Sequence, residues 1–367
     1  MNVARELRSR SAGHGRLIEL DALRGVAALI VVWHHFRLAF DVSDPRWYLR
    51  PFFAGEAAVM VFFTLSGFVL SMPVWTGRQP GYGAYLVRRF FRIYVPYAAA
   101  VLLAVLGAHF FLNAQKPLSE WFYHTWHEPV TAKLVAEQLL FALPQAKVAM
   151  LNTAFWSLRY EAIMSLVMPV LALGVRRAGV WATLGACVAM VIVARQFPLG
   201  AVRLTLLYAS CFALGAVLSL RRKEMAAWYA QAGWAWKAAL AVATVAMFCS
   251  VRVGPTIVGS AGVIVLAMNS QAKRWLETAV PEYLGKISYS MYLVHGTVLW
   301  ALLSVLAGRV AIWELALAYA VTVLAASHLF CVLIEEPALR LGKRLTMRPG
   351  KLVAASASEA QMGVRLE

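Results

Sequence analysis

Charge is what this sequence has least of, and acid least of all. Charged residues make up 14% of the 367, and the 18 Asp and Glu are outnumbered by 35 Lys and Arg; a soluble domain carries about 25% charged residues. So sparse a polar inventory cannot coat a water-soluble globule. With 61% hydrophobic residues and a mean hydropathy of +0.66, the chain reads as a polytopic membrane protein, because its apolar runs of about 20 residues are each long enough to cross a bilayer. Cysteine is scarce too. Cys187, Cys211, Cys249 and Cys331 lie in apolar runs. They lack the paired spacing of a disulfide framework or a zinc site, so they are expected as buried small hydrophobes. No internal repeat shows, which removes support for an inverted-repeat transporter. A cleavable leader is not expected: the apolar run after Arg5, Arg8, Arg10 and Arg16 is too long for a signal h-region and has no small-residue cleavage site.

What is present is basic. A net charge of +17 would point a soluble protein toward nucleic acid. Here the basic residues cluster between apolar runs, which is the positive-inside pattern, and no nucleic-acid partner is expected. The reading is an all-α membrane bundle of about ten spans, at roughly 18–40, 52–73, 91–112, 153–174, 178–196, 203–220, 234–251, 254–271, 285–307 and 311–334. Ten spans put both termini on one side. Arginine pairs and triplets such as Arg88, Arg89 and Arg92, Arg176 and Arg177, and Arg221 and Arg222 with Lys223 fall on that side, and only scattered basic residues such as Arg50, Arg195, Arg203 and Arg252 fall on the other. The asymmetry makes the termini cytoplasmic. Residues 1–16 form a basic cytoplasmic arm, 17–344 the membrane domain, and 345–367 a cytoplasmic tail expected to be disordered.

Ionisable groups inside apolar spans are costly and are candidates for function. In the first span Asp21 and Arg24 stand at i,i+3 and can pair. His35 follows Arg24 by eleven residues, about three helical turns. The two therefore share a face roughly 16 Å apart along the axis, and His34 points about 100° away. Headgroup anchoring would also account for these residues. Ser66 and Gly67 lie in Phe62-Phe63-Thr64-Leu65-Ser66-Gly67-Phe68 and suit close helix approach; Ser66 is not in a nucleophile elbow. Arg88, Arg89 and Arg92 open the third span, as membrane anchors or as forks for phosphate oxygens. Glu161, about two turns into the fourth span, needs a partner from another helix, and His35 is one candidate. Ser288, Tyr292 and His295 form a polar stripe in the ninth span. The tenth is expected to end at Glu335-Glu336-Pro337, because proline stops a helix. His124 and His127 beside Glu128 lack a convincing fourth ligand, so no metal is expected.

In this order, the segments Leu20-Asp21-Ala22-Leu23-Arg24-Gly25, Arg24-x10-His35, Phe62 to Phe68, Arg88-Arg89-x-x-Arg92-Ile93, Trp156-Ser157-Leu158-x-x-Glu161 and Ser288-Tyr289-x-x-Tyr292-Leu293-x-His295 resemble the acyltransferase-3 family of integral membrane acyltransferases. The resemblance covers the chain from Arg16 to about Arg344. Met60 stands where relatives often carry an acid, and a role for that acid would be absent here or moved to Glu56. The resemblance implies an inner-membrane O-acyltransferase. Its co-substrate would be acyl-CoA, most often acetyl-CoA, and its acceptor a carbohydrate or lipid-linked sugar in contact with membrane lipid. It implies His35 as general base, with Arg24, Asp21 and Glu161 in the catalytic group. Arg88, Arg89, Arg92 and Arg24 would hold the CoA phosphates. Trp156, Ser66, Tyr292 and His295 would serve the acceptor. Direct transfer and an acyl-imidazole on His35 both stay open. So does the competing class, a transporter or flippase using the same buried charges for passage.

Overall fold

The computed structural model describes residues 17–40, 49–111, 118–126, 129–140 and 151–347, without the side chains of Tyr123 and His124. The basic arm 1–16, the tail from 348, and the His127-Glu128 pair lie outside the described residues. Among those described, all regular structure is helical. The principal helices are α1 (Ile18–Ala39), α2 (Gly55–Trp75), α3 (Tyr82–Phe111), α4 (Phe155–Ala194), α5 (Ala201–Leu220), α6 (Trp234–Phe248), α7 (Val253–Asn269), α8 (Ala279–Leu306) and α9 (Ile312–Leu345). Seven are long and apolar enough to cross a bilayer; α6 and α7 are shorter apolar helices. Helix α4 is interrupted at Gly179, where φ is 81° and ψ 172°, a conformation that glycine adopts without steric cost. That break supplies the division expected between the fourth and fifth spans. Large apolar side chains on the helix surfaces, including Trp181, Val170, Trp234 and Val242, are exposed, as a surface facing lipid requires.

Two boundaries depart most from the sequence reading. The third helix begins at Tyr82, nine residues before the expected Phe91, and the last runs on to Leu345 past Pro337. Each contains a π-helical turn, Phe90–Tyr94 and Cys331–Glu335. Each turn ends two residues before a proline, Pro96 or Pro337. A proline inside a helix lacks the N–H for its i−4 bond, and its ring crowds that carbonyl. The carbonyls at issue belong to Arg92 and Leu333, inside the π turns, where the backbone is widened. The helices therefore pass through proline instead of stopping at it.

The chain divides into two compact units, 1–75 with 118–122 and 167–292, and 76–117 with 123–166 and 293–367. In the first, α2 and α5 meet backbone to backbone. A Cβ on Gly67 would overlap Phe212, and one on Gly215 would overlap Thr64. Phe63 packs on Tyr208 with ring centroids 4.3 Å apart. The small residues of the Ser66-Gly67 element thus serve close approach, as their size suggests. Helix α1 meets the start of α8 in the same way, through Gly25 against Leu284 and Gly285. In the second unit, Asn152 Nδ2 donates to the Leu293 carbonyl (3.1 Å) and Thr297 Oγ1 (3.3 Å), while its Oδ1 accepts from the Ala154 N–H. The start of α4 is thereby capped and fastened to α8 by one side chain.

Gly67→Ala is expected to destabilise the detergent-solubilised protein by about 1–3 kcal/mol, the cost of overpacking. Gly174→Ala, where a Cβ meets nothing within 4 Å, is expected to be neutral or slightly stabilising. Thermal unfolding of the two variants side by side checks this.

Candidate functional site

Helix α1 carries the first cluster. It is continuous from Ile18 to Ala39, so the Arg24-to-His35 spacing keeps its helical meaning. Arg24 Nη1 lies 3.4 Å from Asp21 Oδ1. The Asp21 carbonyl abuts Gly285, which brings the start of α8, and with it Lys286 and Ser288, against the Asp21 turn. At the other end the two histidines differ. His34 Nδ1 lies 2.7 Å from the Phe53 carbonyl; since a carbonyl only accepts, Nδ1 is the donor in this contact. His35 instead stacks on Trp121, centroids 5.4 Å apart and planes inclined by 16°. Ser119 fixes that indole's segment, its Oγ donating to the Leu38 carbonyl at 2.6 Å and its N–H to the Ala39 carbonyl at 3.0 Å. Sequence reasoning gave Trp121 no role. Its stacking depends on a contact that spacing along the chain does not reveal.

The arginine cluster is built into a helix and not into a loop at a helix mouth. Arg89 Nη2 donates to Ser165 Oγ at 2.9 Å and lies 3.6 Å from Glu161 Oε1. Glu161 thus has a cationic partner from another helix, as its depth demands; the described ion pair is with Arg89. Arg92 pairs with Glu335, whose side chain is only 3% exposed. This pair joins the two π-helical turns. Arg88 Nε donates to Thr346 Oγ1 at 2.7 Å. Tyr85 and Tyr82 donate to the carbonyls of Ser165 and Leu166, which keeps 82–89 helical against α4. A guanidinium has five donors, so an arginine bonded to one carboxylate still has N–H groups for phosphate oxygens. Glu335 was read only as part of a helix exit. Its identity as a buried counter-ion depends on the π turn.

The remaining predicted positions are dispersed. Ser66 is buried in α2 beside the α5 contact. Tyr292 is buried, with its ring edge-on to Phe62 at 5.6 Å. His295 is fully buried, its carbonyl accepting from Tyr319 OH at 3.3 Å. Trp156 meets Tyr160 edge-on at 6.3 Å. A cavity of about 410 Å³ opens beside His34 and is also lined by Arg37, Arg50, Glu56 and Met60. Met60 therefore shares a cavity wall with Glu56, one turn away. Among the described residues no three potential metal ligands converge.

A bundle of apolar helices with paired charges held inside it is the architecture of a multi-pass membrane protein. The family profile described as "Acyltransferase domain" matches residues 17–335, and the chain belongs to this acyltransferase-3 family. It is also 32% identical over 165 residues to "Protein 2 in picA locus" of Rhizobium radiobacter, covering 41% of this chain and 80% of that one. No solved structure matches. The protein is a multi-pass membrane acyltransferase.

Glu335→Ala leaves Arg92 without its counter-ion. Breaking a buried pair costs about 3–5 kcal/mol. The lower end is expected here, because the Arg92 side chain is 32% exposed. The double change Arg92→Leu with Glu335→Leu is expected to cost less than Glu335→Ala alone, both measured by chemical unfolding in detergent.

Proposed function

We propose that the protein transfers an acyl group, acetyl foremost, from acyl-CoA to a hydroxyl of a carbohydrate or lipid-linked sugar at the cell's inner membrane. The observation that carries the reading is the first helix. It presents an Asp21–Arg24 ion pair near one end and, eleven residues on, an imidazole stacked on Trp121, in a chain whose family is that of membrane acyltransferases.

His35 acts as general base. It takes the proton of the acceptor hydroxyl as that oxygen attacks the thioester carbonyl. The carbon–oxygen bond forms, the carbon–sulfur bond breaks, and the CoA thiolate recovers the proton from the imidazolium. The products are an ester and free CoA thiol. Histidine suits both halves because its reference pKa lies near neutrality. The flat stack on Trp121 restricts ring rotation and keeps the accepting nitrogen aimed. Arg24, held by Asp21, serves the donor's path along α1. Arg88, Arg89 and Arg92 bind the CoA phosphates, with Glu161 and Glu335 holding two of the forks in place. Positive-inside asymmetry supports a cytoplasmic donor side.

His35→Ala is expected to lower transfer by about 10²–10⁴-fold, the usual contribution of a positioned base, with unchanged gel-filtration and circular-dichroism behaviour. His34→Ala, which removes a backbone anchor, is expected to lose less than about tenfold by the same comparison. Mass spectrometry of surface glycans from a deletion strain complemented with each variant reads both, and equal losses overturn the assignment.

A further inference from the structure

Arg195, Arg203 and Arg252 are far apart in sequence, yet they line one cavity of about 220 Å³ at the end of α4, the start of α5 and the turn between α6 and α7. No acidic side chain lines it, and none of the three makes an ion pair among the described residues. Arg195 and Arg252 are exposed and Arg203 is half-buried, so the cavity is open to an incoming anion, and three guanidinium forks around a common space match a carboxylate or phosphate. Their location adds to the point. The charge asymmetry assigns these turns to the outer side, where the topology rule disfavours arginine, so the gathering calls for another cause.

Val251 and Val253 line this cavity and also the larger one beside His34, so a single turn of chain separates the two. The larger space, about 410 Å³, falls within the roughly 300–1,000 Å³ of small-molecule sites. Its wall offers Arg37 and Arg50 as donors and Glu56 as an acceptor for hydroxyls, the mixed polarity that suits a sugar ring more than a lipid tail. It is also reached from His34, next in the chain to His35. Resting on the acyl-transfer reading for its place in the reaction, we propose that these adjoining cavities form the acceptor subsite and that the acceptor is an anionic saccharide. Its carboxylate or phosphate sits among Arg195, Arg203 and Arg252, and its ring lies beside His34. The three arginines act in specificity and binding; none of them is a base or touches the donor.

The test is binding without any acyl donor, using the full chain in nanodiscs of neutral phosphatidylcholine. The probes are tetragalacturonate, glucose 6-phosphate and neutral maltotetraose, titrated calorimetrically at physiological salt. At least one anionic probe is expected to bind ten times or more tightly than maltotetraose. Arg195→Gln combined with Arg252→Gln is expected to remove that preference, while Arg222→Gln on the opposite side and His35→Gln leave it intact. The proposal is overturned if no anionic probe binds better than the neutral one, or if the double variant keeps the preference. It is also overturned if phosphatidylglycerol in the disc abolishes binding through the same arginines, which would make the occupant a lipid headgroup. Because His35→Gln lowers transfer but not binding on this account, loss of the base assignment and loss of the anion subsite give different results.

Discussion

A charged side chain inside an apolar helix must meet an opposite charge, and this chain has few acids to offer. Much of the described structure follows from how those acids are used. Asp21 holds Arg24. Glu161 meets Arg89. Glu335 meets Arg92, and the nearly buried Glu19 meets Lys273 at 3.4 Å. In a low-dielectric interior an uncompensated charge costs far more than a paired one gains. These contacts are therefore better understood as fixing helix register and aiming guanidinium groups than as sources of net stability. The Arg92–Glu335 pair shows the coupling most clearly. It exists because two helices each widen into a π turn ahead of a proline, and each widened turn carries one of the two charges.

Much of the fold was legible in the sequence, because apolar length alone identifies a span. The described helices fall where ten apolar runs lie, and the Gly179 break separates the fourth run from the fifth. Helix ends were less legible. Pro337 reads as a stop, and a local rule has no means of anticipating that a π turn over Cys331–Glu335 would carry the helix through it. The start of α3 was hidden for a different reason: Tyr82–Arg89 is too polar to register as a span, and it is held helical by tyrosines reaching the carbonyls of Ser165 and Leu166.

The site was legible as residue types and only partly as partners. Spacing gave the Asp21–Arg24 pair and separated His35 from His34. It could not give Trp121, whose stacking depends on Ser119 fastening a distant loop segment to the end of α1. It also made Arg195, Arg203 and Arg252 look scattered, because convergence around a cavity is a property of the folded chain. The recognition of a family and the geometry of the helices are complementary here. The first names a class of reaction, and the second shows which charges are held, by what, and at which end of which helix.

The central claim is that an acyl group leaves a CoA thioester and arrives on an acceptor hydroxyl. The most direct measurement uses oriented proteoliposomes of the purified full chain, with acyl-labelled CoA on the face bearing Arg88, Arg89 and Arg92 and a surface-glycan extract on the other. The account predicts labelled ester on the glycan, dependent on the donor and accompanied by equimolar free CoA thiol. Glycan that crosses the bilayer unlabelled, at the same rate with and without the donor, would contradict it and leave a transporter in its place.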